Sequence, residues 1–122
     1  MNTTIQKLFL LGALFPLTLE NVCADVQPGQ KAEVEHLISY LENSDCSMLR
    51  NGKEYSAETG AKHIRRKYDH FRNTINSTEE FIELSASKST ISGKPYEVQC
   101  PGQAPVESAI WLLEELEVYR GD

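Results

Sequence analysis

The feature that most constrains this chain is its N-terminal apolar run, because it decides how much of the sequence folds and how many cysteines remain. Lys7 supplies a positive start. Leu8 to Leu19 is apolar except for Gly12, Pro16 and Thr18, and Val22-Cys23-Ala24 places small residues before Asp25. This is the pattern of a secretory signal peptide cut after Ala24, and the run is too short to span a bilayer as a helix. Removing 24 of the 122 residues leaves 98, enough for one domain. It also leaves two cysteines, Cys46 and Cys100, in an oxidising compartment. Their pairing is the expectation, with two free buried thiols as the alternative. Leu19-Glu20-Asn21-Val22 lacks the small residues that a lipidated Cys23 requires, so a soluble product is expected, with no transmembrane anchor.

The net charge is −6, and it is unchanged when Lys7 and Glu20 leave with the signal. An acidic domain is a poor general binder of nucleic acid. The charge is unevenly distributed. Lys53, Lys62, Arg65, Arg66, Lys67 and Arg72 concentrate on one segment, whereas Glu107, Glu114, Glu115 and Glu117 dominate the last one.

Residues Asp25 to Gln30, with Pro28-Gly29, read as a flexible leader, and 31–122 as a single α+β domain. Val34, Leu37, Ile38 and Leu41 recur at helical spacing from Lys31 to Asn43. Asn51-Gly52 between two short runs predicts a β-hairpin, because a type I′ turn needs positive φ at both central residues. Ser56 is suited to cap a second helix running to about Asn73. Its apolar stripe is Ala57, Ala61, Ile64, Tyr68 and Phe71, with Gly60 permitting close packing. Ser77-Thr-Glu-Glu80 is a capping-box pattern opening a short third helix. Tyr96 to Cys100 alternates like a strand. Pro105 to Tyr119 reads as the last helix, with Val106, Ile110, Leu113 and Leu116 on its core face and Gly121 as its stop. The expected fold is therefore α+β: about four helices, one hairpin and one further short strand in a small antiparallel sheet, stapled by one disulfide. That disulfide would tie the start of the hairpin to the end of the later strand.

The order of several segments carries a resemblance. Arg50-Asn-Gly-Lys-Glu-Tyr55, Ala61-Lys-His-Ile-Arg-Arg-Lys-Tyr68, Thr78-Glu-Glu-Phe-Ile82, Ser89-Thr-Ile-Ser-Gly-Lys-Pro-Tyr96 and Trp111-Leu-Leu with Leu116 and Tyr119-Arg120 follow one another. Together they resemble the YfeK-like family of small exported proteins of Gram-negative bacteria, a domain of unknown function. The resemblance implies a periplasmic protein and brings no activity or catalytic residue with it.

No catalytic residue, metal ligand or cofactor site is assigned from the residues. Ser85-Ala-Ser-Lys88 fits the S-x-x-K pattern of penicillin-recognising serine enzymes, but the partner motifs are missing and the chain is too small for that fold. A polar loop whose hydroxyls satisfy local backbone groups is the simpler reading. His63 and His70 stand two helical turns apart with cations between them, a poor pair for one metal ion. The cysteines lie far apart, so no C-x-x-C redox site exists.

On the second helix, however, His63, Arg66, Lys67 and His70 fall along one flank beside the apolar stripe. Arginine suits a carboxylate or phosphate, and histidine would add pH sensitivity. A solvated helix face balancing the acidic helices is the plain alternative. Trp111 lies off the expected core face of the last helix, either packed on the Ser85–Lys94 loop or exposed as a contact anchor. The expectation is a non-enzymatic periplasmic module that binds an envelope protein or an anionic envelope polymer. A small serine-dependent hydrolase or transferase and a small-ligand carrier are the alternatives.

Overall fold

A computed structural model describes residues 25–121. The apolar run and the cleavage site after Ala24 lie outside the described residues. Helix α1 (Pro28–Glu42) is followed by strands β1 (Ser47–Arg50) and β2 (Lys53–Ser56), helix α2 (Ala57–Phe71) and a 3-10 turn (Arg72–Thr74). Helix α3 (Thr78–Ser85), strands β3 (Glu97–Gln99) and β4 (Val106–Glu107), and helix α4 (Ser108–Arg120) complete the order. The sheet runs β2-β1-β3-β4, antiparallel throughout.

Local chemistry accounts for most of these boundaries. Asn51 and Gly52 take φ of 50° and 80°, the left-handed pair that a two-residue hairpin turn requires. The Ser56 hydroxyl accepts the Thr59 amide and so caps α2, and the Ser77 hydroxyl accepts the Glu80 amide and caps α3. The Glu80 carboxylate in turn accepts the Asn76 amide at 2.7 Å, one residue earlier than a standard capping box would place it.

Cys46 and Cys100 form a disulfide. Ser47 pairs with Gln99, so the bond continues the β1–β3 ladder by one step. Val34, Leu37, Ile38 and Leu41 of α1, Ile64 and Tyr68 of α2, and Phe81 and Ile82 of α3 fill one core beside Met48 and Tyr96. Tyr68 and Phe81 meet edge to face at 5.3 Å between centroids.

Three expectations are corrected. The leader reading of 25–30 gives way at Pro28, which occupies the first turn of α1, where its missing N–H costs nothing. Val26 ahead of it is buried, and the Asp25 carboxylate accepts the Tyr68 hydroxyl at 2.9 Å. The last helix begins at Ser108 rather than Pro105, because Val106 and Glu107 pair with Val98 and Glu97 as a fourth strand. Its buried face is Ser108, Leu112 and Leu116, while Val106, Ile110 and Leu113 are exposed. A serine in the core stripe explains the misreading. The buried Ser108 hydroxyl donates to the Ala86 carbonyl, and its amide donates to the Tyr96 carbonyl, so a polar residue is satisfied where periodicity asks for an apolar one.

Gly60 of α2 packs closely on Met48 of β1. A Cβ there would stand 2.8 Å from Met48 Sδ and 2.9 Å from Met48 Cβ. Alanine would gain about 1 kcal/mol of helix propensity. The clash is with an atom fixed to the β1 backbone, and overpacking costs about 1–3 kcal/mol. Gly60→Ala is therefore expected to lower the urea midpoint; a raised midpoint would show that Met48 gives way freely.

Candidate functional site

The flank of α2 that carries His63, Arg66, Lys67 and His70 faces the turn between α3 and β3. Between them lies an open groove of about 390 Å³, whose walls also include Arg50 and Tyr96. The helix supplies the cations because its opposite side is committed to the core through Ala61, Ile64 and Tyr68. Strand β1 ends at Arg50 immediately before the Asn51-Gly52 turn, which delivers a further guanidinium to the same space.

Tyr96 organises the floor. Lys67 Nζ donates to the Tyr96 hydroxyl at 3.1 Å and to the Lys88 carbonyl at 2.8 Å. His63 Nε2 lies 3.0 Å from the same hydroxyl. An ammonium can only donate, so the phenol oxygen accepts from Lys67 and its own hydrogen is free for a neutral His63 Nε2. The electrostatics agree. Burial, reinforced by the charges of Arg50, Lys67 and Arg66, pulls the His63 pKa down to about 4. Lys67 is also lowered, by burial and by Arg50, and burial raises the Tyr96 hydroxyl.

No carboxylate lines this groove among the described residues. Arg65, Arg72 and Arg120 are each paired with an acid elsewhere, whereas Arg50, Arg66 and Lys67 enter no ion pair among the described residues. Arg50 rests over the Tyr55 ring at 4.3 Å, and its Nε is buried with no hydrogen-bond partner there. The site is thus a cationic concavity with a neutral imidazole at its floor, suited to receive negative charge.

The four α2 residues named from the sequence all line this one groove. Trp111 is not among them. It packs on Tyr40 of α1 at 4.5 Å between centroids, continuing an aromatic ladder in which His36 stacks on Tyr119 at 4.1 Å. It borders a separate open groove of about 740 Å³ with Tyr40, Asn43 and Gln103. Trp111 rests on α1 rather than on the 85–94 turn, and it is half-buried with one side on the wall of this second groove. The pH role expected of the histidines is also displaced for His63, which stays neutral well below pH 6.

Arg50 and Tyr96 are the members that residue spacing does not reveal. The signal was indirect: the cysteine link places β1 beside β3, and these two residues sit at the far end of that pairing from the disulfide.

Of the serines of the alternative reading, neither Ser85 nor Ser92 lines the groove. Ser85 is fully buried, and its Oγ has no partner in the described residues. Ser92 donates to Asn51 Oδ1 at 2.6 Å. Among the described residues, no cluster of three His, Cys, Asp or Glu side chains is placed to hold a metal ion. No described helix is long and apolar enough to cross a membrane.

Residues 28–120 match a protein family described as "Family of unknown function (DUF5329)". "Uncharacterized protein YfeK" of Salmonella typhimurium is 35% identical over 74 residues, which cover 60% of this chain and 62% of that protein. The match thus spans about three fifths of the curated relative's length. No solved structure matches the chain.

Proposed function

The chain belongs to the DUF5329 family of unknown function, and we propose that it is a non-enzymatic periplasmic module that binds an anionic group of an envelope component. The observation that carries this reading is the α2 groove: Arg50, Arg66 and Lys67 line it, and no described carboxylate offsets them. Export is supported by the N-terminal apolar run and the small residues before Asp25. A disulfide between the two remaining cysteines accords with an oxidising compartment.

In this reading Arg66 and Arg50 contact the anion, and Lys67 and the Tyr96 hydroxyl fix its position. Arginine's planar fork suits two oxygens of one phosphate or carboxylate. Burial and the neighbouring cations keep His63 neutral, and an anion beside it would favour proton uptake.

The test is titration with a soluble phosphomonoester, glycerol phosphate, followed by amide and imidazole NMR shifts. Signals of His63, Arg66 and Lys67 are expected to move together, more strongly at low salt. Arg66→Glu/Lys67→Glu should weaken binding at least tenfold while leaving the fold intact. Unchanged affinity in that variant would remove the site.

The groove beside Tyr40 and Trp111 favours a second reading, carriage of a small ligand, because aromatic rings and the amides of Asn43 and Gln103 meet there. A ligand-induced change in Trp111 fluorescence, absent in Trp111→Phe, would support it.

A further inference from the structure

The turn from Lys88 to Lys94 forms the outer wall of the basic groove, and at its apex Ile91 is 97% exposed, the most exposed large apolar side chain of the described residues. The turn is held tightly. The Ser89 amide donates to the Lys94 carbonyl at 3.0 Å, and the Gly93 amide donates to the Ser89 carbonyl at 2.9 Å. The Ser89 hydroxyl accepts the Ser92 amide at 3.1 Å, and Lys88 bridges Pro95 in antiparallel fashion. From outside, the Ser92 hydroxyl anchors the turn to Asn51 and the Lys67 ammonium anchors it to the Lys88 carbonyl. These bonds hold the turn's backbone and the Ser92 side chain, and the single large apolar group of the turn is left pointing into water.

The charges of the turn and of the groove behind it have one sign; Glu97 and Glu107 lie on the other side of Lys94, away from the groove. Lys88 and Lys94 flank Ile91 on the turn and are both exposed. Behind it stand Arg50, Arg66 and Lys67 of the groove. An apolar apex with cations beside it on the turn and behind it in the groove complements a surface that is negative at its outer plane and apolar just beneath. A bilayer rich in anionic phospholipid has that profile: headgroup charge attracts basic residues within a Debye length, and an inserted aliphatic side chain leaves water. A single convex apex beside an open groove fits a broad interface better than a deep pocket.

Resting on the anion-binding reading of the groove, we propose that this face docks on anionic phospholipid bilayers, with the groove taking a lipid phosphate and Ile91 inserting below the headgroups. Attraction by the cations brings the protein to the surface, and the rigid turn makes insertion cheap in conformational entropy, because its backbone is already ordered.

The experiment is vesicle cosedimentation using the chain from Asp25, so that the N-terminal apolar run cannot itself carry the protein to lipid. The core it retains runs from Val26 to Leu116. Vesicles of mixed phosphatidylglycerol and phosphatidylcholine are compared with phosphatidylcholine alone, and glycerol phosphate binding is measured in parallel on every variant. The wild type is expected to sediment with the anionic vesicles only. Ile91→Ser, an exposed change that leaves the fold alone, should weaken that binding about tenfold with glycerol phosphate binding unchanged. Arg66→Glu/Lys67→Glu should lose both.

Failure of the wild type to bind anionic vesicles overturns membrane docking, and so does binding that Ile91→Ser leaves unaltered. If glycerol phosphate still binds in either case, the groove stands and its anion belongs to a protein or a soluble molecule. If it does not bind, the groove reading fails with the docking.

Discussion

Breaking the Cys46–Cys100 disulfide is expected to lower stability by about 4 kcal/mol, by the loop-entropy relation for a closed segment of this length. The two residues are separated by 54 positions, and the segment they close contains the hairpin, α2, α3 and β3. Without the bond, the unfolded chain regains the freedom of more than half of the domain. The folded state has little to set against that loss. The β1–β3 ladder it extends joins strands of only 4 and 3 residues, and short ladders are weak when isolated. For a domain near this size each kcal/mol shifts the melting temperature by about 4–8 °C, so the expected drop is roughly 15–30 °C. Cys46→Ser/Cys100→Ser and reduced wild type should unfold at the same point, well below the oxidised protein. Equal midpoints with and without reductant would show that the native contacts alone hold β1 against β3.

The elements that could be read from residues are those whose stabilisation is local. Asn51-Gly52 dictates its own turn, Ser56 and Ser77 cap the helices that follow them, and the α1 and α2 stripes bury as their spacing requires. What stayed hidden depends on partners distant in sequence. Strand β4 is two residues long and exists because Val98 offers it a ladder. The face of α4 was misassigned because Ser108 is made a core residue by the Ala86 carbonyl. Trp111 follows Tyr40 for the same reason, since no spacing within α4 announces a ring on α1.

The candidate site divides along that line. His63, Arg66, Lys67 and His70 share one helix flank, so their grouping follows from 100° per residue. Arg50 and Tyr96 join them only through sheet pairing, and Arg50 is one of the charges that, with burial, keep His63 neutral. The Ile91 apex is likewise a product of cross-links, because the sequence Ser-Thr-Ile-Ser-Gly gives no hint that its isoleucine is held outward.

Acid should destabilise the protein in two separable steps. The first belongs to His63. Its folded pKa, about 4, lies below the ordinary 6.5, so the unfolded chain binds more protons between those values. Stability is therefore fully present above pH 6.5 and falls as pH drops through that window. The second is led by Glu33, which ties α1 to the ends of α3 and α4, with Glu35, Glu79 and Asp25 also lowered by their partners. Glu33 Oε1 accepts the Thr78 hydroxyl at 2.7 Å, and its two oxygens accept Arg120 Nη2 and Nε at 2.8 and 2.7 Å. Arg120 also donates to Glu79 at 2.8 Å.

The Arg120 hydrogen bonds outweigh the cost of partial burial and bring the Glu33 pKa from 4.5 to about 2. This contribution is complete above pH 4.5 and is lost as pH falls towards 2. His63 and Glu33 are each worth on the order of 2 kcal/mol, less than the full shift implies because solvent reaches Arg120 and the groove. His63→Gln should flatten the limb between pH 6.5 and 4 and leave the lower one. Glu33→Gln should lower stability by a similar amount at neutral pH and make the limb below 4.5 shallower, because it removes the charge that Arg120 holds. Urea midpoints across that pH range separate the two. A first limb that survives in His63→Gln would assign it to another group, and with it would go the account of a groove that keeps its imidazole neutral until an anion arrives.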